Sequence, residues 1–121
     1  MNKLLFSALL MFGAINPSYA QLSVETVQEQ IAQQQALLLD VRTAGEYAQG
    51  HLEQAKLLPY DEISSGISAL TEDKNQLIYV YCRSGRRSGI AKQTLESLGF
   101  TNVHNIGGYE QLRVASLKIK R

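Results

Sequence analysis

Apolar and polar positions change period several times along the chain. Leu37-Leu38-Leu39-Asp40-Val41 and Leu77-Ile78-Tyr79-Val80-Tyr81 are short, nearly unbroken apolar runs. Such runs predict buried strands. Thr101 to Ile106 reads as a further strand, and Lys56-Leu57-Leu58-Pro59 as a short one stopped by proline. Between them the period becomes helical. Ser23 is placed to cap a helix from Val24 to about Gln34, with Val24, Val27 and Ile31 on one face and Glu25 at its positive end. Thr43-Ala44-Gly45-Glu46 has capping-box spacing and opens a short helix through Tyr47 and Ala48, closed by Gly50. Asp61 is placed to cap a helix through Ile63, Ile67 and Leu70. Ser88 opens a helix over Gly89 to Leu98, with Ile90, Ala91, Leu95 and Leu98 at helical spacing and Gly99 at its end. Thr71 to Asn75 is an exposed loop, and Leu117 to Arg121 a frayed basic tail. Strands alternating with helices predict an α/β domain around a mainly parallel central sheet flanked by helices.

The first twenty residues follow a different pattern. Lys3 precedes the almost wholly apolar Leu4 to Ile15, and Asn16-Pro17-Ser18-Tyr19-Ala20 ends the segment. A charged start, a short apolar stretch and a small-x-small ending predict a cleavable signal peptide over 1–20. The apolar stretch falls short of the ~20 residues that span a bilayer. The expected mature chain is 21–121, one domain, exported to the periplasm of a bacterial cell and free of the membrane once the signal is removed.

Charge narrows the partners. Without Lys3, eleven basic residues balance eleven acidic ones. Neither nucleic acid nor a membrane surface is suggested by such a balance. The chain has a single cysteine, Cys82, with no CxxC pair and no Cys/His spacing for a metal site. Exported proteins usually use cysteines as disulfides. A lone thiol has no partner within the chain, so reactivity is the better reason for it.

The setting of that thiol supports this reading. Cys82 closes the central apolar run and opens the loop Cys82-Arg83-Ser84-Gly85-Arg86-Arg87-Ser88, with a helix just beyond. Crevices at the carboxyl ends of strands are where open α/β sheets bind ligands. A thiolate is favoured by nearby cations and by a helix N-terminus. Arg83, Arg86 and Arg87 supply the cations, while Ser84 and Gly85 let successive N–H groups turn inward as an anion nest. A thiolate beside an oxyanion cradle suits attack on a small sulfur or phosphorus oxyanion. The loop is one residue shorter than the C-x5-R loop of cysteine-dependent phosphatases, since Arg86 and Arg87 stand at C-x3-R and C-x4-R and position 88 is serine.

With these residues in view, the chain resembles the single-domain rhodanese family of sulfurtransferases. Cys82 to Arg87 is similar to its six-residue active loop. The run from Leu39 to Leu52 resembles its N-terminal signature, and Gly107-Gly108-Tyr109 its Gly-Gly-aromatic turn, where tryptophan is usual. One departure is Glu53-Gln54, where the family typically has Pro-Gly. The resemblance implies a rhodanese-like fold, a persulfide on Cys82, thiosulfate as donor and cyanide or another thiophile as acceptor. It implies no metal or organic cofactor.

The expected substrate-binding set is Arg83, Ser84, Gly85, Arg86, Arg87 and Ser88. Arg86 and Arg87 are expected on the sulfonate end of the donor, with Arg83 projecting outward. Asp40, Arg42, Glu46 and His51 read as structural. An alternative is a periplasmic persulfide carrier delivering sulfur to a protein partner of unknown identity. A phosphatase or arsenate-reductase-like enzyme is a further alternative, which the short loop opposes.

Overall fold

The computed structural model describes residues 23–115 and 119–120. The expected signal peptide lies outside the described residues. In chain order the elements are α1 (Val24–Ala32), β1 (Ala36–Asp40), α2 (Ala44–Gln49), β2 (His51–Leu52), β3 (Lys56–Leu57) and α3 (Ile63–Gly66). A 3-10 turn (Ile67–Ala69) follows, then β4 (Leu77–Cys82), α4 (Arg86–Ser97), β5 (Val103–Gly108), α5 (Tyr109–Val114) and β6 (Ile119–Lys120).

Four strands form one parallel sheet in the order β3-β1-β4-β5. The apolar runs are unbroken because both faces of the central strands are covered. Along β4, Ile78, Val80 and Cys82 face a core shared with Ile63, Ile67, Ala91 and Leu95. Tyr79 and Tyr81 face the opposite core, built with Val27, Ile31, Leu52 and Leu112. The period-2 geometry of a strand therefore sends Cys82 toward α4 and the two tyrosines toward α1 and α5. Burial of Leu95 alone contributes about 1.5–3 kcal/mol to seating α4 on the sheet.

Local signals fold as expected at two caps. Ser23 accepts from the Thr26 N–H at 3.0 Å. The Thr43–Glu46 capping box closes in both directions, at 3.2 Å and 3.0 Å. Other elements differ from the sequence reading. The helix expected to open at Ser88 starts two residues earlier, at Arg86, because Gly85 takes a left-handed φ of 99° and its carbonyl receives the Gly89 N–H at 3.1 Å. Asp61 does not cap α3. Glu62 holds that position without a side-chain bond, and α3 tightens into the 3-10 turn before an exposed Leu70. β2 and α5 are additional elements. The expected frayed tail instead contains β6, which pairs antiparallel with β2, His51 opposite Lys120 and Leu52 opposite Ile119.

Candidate active site

Cys82 is the last residue of β4 and is fully buried. The chain then turns sharply through exposed Arg83 and Ser84 to Gly85. This turn brings the Gly85 N–H to 2.9 Å from Cys82 Sγ. One helical turn on, buried Ser88 places its Oγ 3.4 Å from the same sulfur. Burial pushes the thiol pKa up. The Ser88 hydroxyl and the backbone N–H groups of Ser88, Ser84 and Gly85 favour the thiolate and outweigh burial, so the thiol sits below its ordinary value. Among the arginines, Arg87 interacts with the charge on the sulfur, but the groups that favour the thiolate most are dipolar.

The glycine pair of β5 forms the adjoining wall. Gly108 pairs with Cys82 in the sheet register. A Cβ on Gly108 would lie 2.6 Å from the Arg83 carbonyl oxygen, so the loop closes against β5 only because that side chain is missing. A Cβ on Gly85 would fall 3.7 Å from Gly107 Cα, which places the loop directly over the pair. Gly107 and Gly108 thus let the loop backbone approach β5 closely.

Sequence reasoning passed over Asn105, two residues before the glycines. Its Oδ1 accepts the Ser88 hydroxyl at 2.7 Å and the Gly107 N–H at 3.0 Å. Its Nδ2 donates to the Gly85 carbonyl at 3.0 Å. The only sequence signal is a polar residue within an otherwise half-buried strand.

The loop arginines separate. Arg87 is held by Glu46 of α2 in a two-pronged pair, Nη1–Oε1 3.0 Å and Nη2–Oε2 3.1 Å. That pair draws the Glu46 carboxyl down to about 2. Arg86 lies exposed on the first turn of α4. Arg83, expected to project outward, lines a cavity of about 760 Å³ together with Arg42, Glu46, Tyr109 and Arg113. Arg42 is buried and spent on Asp40, with Nη2–Oδ2 at 2.7 Å, and on the Gly50 carbonyl at 2.8 Å. It also stacks beneath the Tyr109 ring, 4.3 Å from its centroid. Asp40 further accepts the Tyr81 hydroxyl at 2.7 Å. Asp40 and Arg42 therefore brace the end of the sheet, the structural role expected of them. His51 stacks on Tyr47 with centroids 3.6 Å apart and bonds its carbonyl at 2.8 Å, again a packing role.

Arginine does not stand where a C-x5-R loop would place it. Position 88 is Ser88, with its hydroxyl beside the sulfur, and Arg87 turns to Glu46. Among the described residues no group of three or more His, Cys, Asp or Glu side chains is placed to hold a metal ion.

Comparison with known proteins agrees with this geometry. A family model described as a rhodanese-like domain matches residues 23–115. The thiosulfate sulfurtransferase PspE of Escherichia coli is 38% identical over 80 residues, spanning 66% of this chain and 77% of that protein. A candidate sulfur carrier protein of Bacillus subtilis is 33% identical over 90 residues, 74% of this chain but 48% of its own length. Among solved structures, a rhodanese with anions from E. coli superposes with a TM-score of 0.66 at 34% identity, covering 71% of this chain and 98% of that one.

Proposed function

This chain belongs to the rhodanese-like domain family, and we propose that it is a thiosulfate sulfurtransferase working through a persulfide on Cys82. The observation that carries the reading is the convergence of the Gly85 N–H and the Ser88 hydroxyl on Cys82 Sγ, which favours the thiolate in a buried position.

The thiolate attacks the outer sulfur of thiosulfate. A bond forms between Sγ and that sulfur, the sulfur–sulfur bond of thiosulfate breaks, and sulfite leaves with the electron pair. The N–H groups of the loop then hold the terminal sulfur of the persulfide. Cyanide or another thiophile attacks that sulfur, the persulfide bond breaks, and its electron pair returns to Cys82 as thiolate. No proton has to move to or from a side chain in either transfer. Arg83, with no carboxylate paired to it among the described residues, is assigned to drawing in the donor anion. Arg86 adds positive charge on the helix side, while the charge of Arg87 is met by Glu46.

Two-step transfer through a covalent enzyme form gives ping-pong kinetics. Thiocyanate formation at varied thiosulfate and cyanide is expected to give parallel double-reciprocal lines. Intersecting lines would contradict the covalent route.

A second reading has the persulfide handed to a protein partner. It is favoured by the cavity beside Arg83, whose volume lies in the range that encloses ligands far larger than thiosulfate, and by the resemblance to a candidate sulfur carrier. Slow thiosulfate turnover with fast transfer to a protein thiol would select it. The exported, periplasmic setting is part of the proposal and is supported by the pattern of the first twenty residues. Protein recovered from a periplasmic fraction should begin at Gln21.

A further inference from the structure

Asn105 touches both residues that reach the sulfur: it donates to the Gly85 carbonyl and accepts from Ser88. Its amide orientation is determined by its partners. The Gly107 N–H can only donate and the Gly85 carbonyl can only accept, so Oδ1 must face Gly107 and Ser88. An Oδ1 with no proton of its own requires Ser88 to be the donor at 2.7 Å. A serine hydroxyl has one proton, and here two acceptors compete for it: Asn105 Oδ1 and, at 3.4 Å, Cys82 Sγ.

We propose that Ser88 keeps its proton on Asn105 while Cys82 is a thiol and turns it onto the sulfur when the thiolate forms, so that Asn105 is a positioning residue that sets how readily Cys82 ionises. While Ser88 donates to Asn105, an oxygen lone pair faces the sulfur and suits S–H. Once the thiol proton has left to solvent, the sulfur becomes the stronger acceptor and the hydroxyl rotates toward it. The hydroxyl proton stays on oxygen throughout, and Asn105 Oδ1 retains the Gly107 N–H. Every ionisation of Cys82 therefore costs the Ser88–Asn105 bond.

The charged groups around this exchange lie on α4 itself, on α2, at the end of β1 and on the loop. Arg87 of α4 interacts with the sulfur's charge, and Glu46 of α2 faces that guanidinium. Asp40 and Arg42 at the end of β1 are paired with each other, and Arg83 lies exposed on the loop. From β5, the residues against the loop are the neutral Asn105 and the two glycines. The proposal rests on the sulfurtransferase reading only for why the thiolate matters.

The test is the pH dependence of Cys82 alkylation by iodoacetamide. Ser88→Ala should move the midpoint up, since a donor to the thiolate is lost. Asn105→Ala should move it down, because the sulfur then becomes the main acceptor for Ser88. At a pH below both midpoints its rate should rise about three- to tenfold. In a Ser88→Ala background the same Asn105→Ala change should no longer move the midpoint down, leaving only what loss of the Nδ2 bond to the Gly85 carbonyl does. Asn105→Asp strengthens the acceptor for Ser88 but also turns an oxygen toward the Gly85 carbonyl, so it is compared with and without Ser88: the midpoint should move up more with Ser88 present than without it. If Asn105→Ala does not fold, the Asn105→Asp comparison decides alone. A rise on Asn105→Ala, or shifts that are the same with and without Ser88, would overturn the proposal and leave Asn105 as a brace for the loop. Alkylation needs no sulfur donor, so a failure to form persulfide would sink the sulfurtransferase reading without touching this one.

Discussion

Arg87 and Glu46 lie 41 positions apart and join the active loop's helix to the helix of the first signature block. Glu46 serves twice, since its Oε1 also accepts the Thr43 N–H and hydroxyl that cap α2. The Arg87 hydrogen bond is the largest influence holding its carboxyl at about 2. A depressed carboxyl contributes stability above its unfolded value of about 4.3 and loses it as pH falls through the folded value. Wild type should therefore exceed Glu46→Gln in urea resistance by a constant margin above about pH 5. The margin should shrink between there and about pH 2. Partial exposure of the pair keeps the contribution below about 1 kcal/mol. A margin that does not change with pH would remove the ion pair as its cause.

Gly108 and Gly89 make opposite predictions from the same substitution. Gly108→Ala drives a Cβ into the Arg83 backbone and should cost about 1–3 kcal/mol, with sulfur transfer lost along with the loop geometry. Gly89 lies inside α4, where a Cβ would meet only Asn105 Nδ2 at an ordinary 3.6 Å. Gly89→Ala should stabilise by about 0.5–1 kcal/mol through helix propensity. Urea midpoints of the two variants check both signs.

Gln54 occupies a left-handed conformation, φ 69°, in the turn closed by the Ala55 N–H on the Leu52 carbonyl at 3.1 Å. Glycine is the residue that adopts this third turn position without a Cβ penalty. Gln54→Gly should raise stability by about 0.5–1 kcal/mol, after allowing for the greater freedom of glycine in the unfolded chain. Thermal melting would show it, and no gain would mean that the glutamine side chain compensates its own backbone.

Arg83 lines the cavity while Arg87 is committed to Glu46. Arg83→Ala should raise the KM for thiosulfate several-fold, about the weight of one exposed charge contact. The KM for cyanide should stay near wild type. Equal rises for both substrates would remove Arg83 from donor binding.

Much of this arrangement was legible in the chain. The apolar runs of β1 and β4, the Thr43 capping box and the inward N–H turn at Ser84 and Gly85 all follow from local residue chemistry, and each forms in the structure. What escaped depends on contacts between distant segments. β6 is two residues long and exists by pairing with β2, so no local period announces it. The pairing of Arg87 with Glu46 crosses from one signature block to the other. Within the loop the inward N–H groups form as expected, but the sequence did not show that they and the Ser88 hydroxyl, more than the arginines, would hold the thiol low. Asn105 carries no motif of its own, and its role emerges only once β5 is laid beside α4.

The most direct test of sulfur transfer through Cys82 is the intact mass of the protein before and after thiosulfate, measured alongside Cys82→Ser. The expected result is a gain of one sulfur atom on wild type, removed by cyanide and absent from a folded Cys82→Ser variant. No gain on wild type, with Cys82 shown to be reduced and open to alkylation, would contradict the persulfide route.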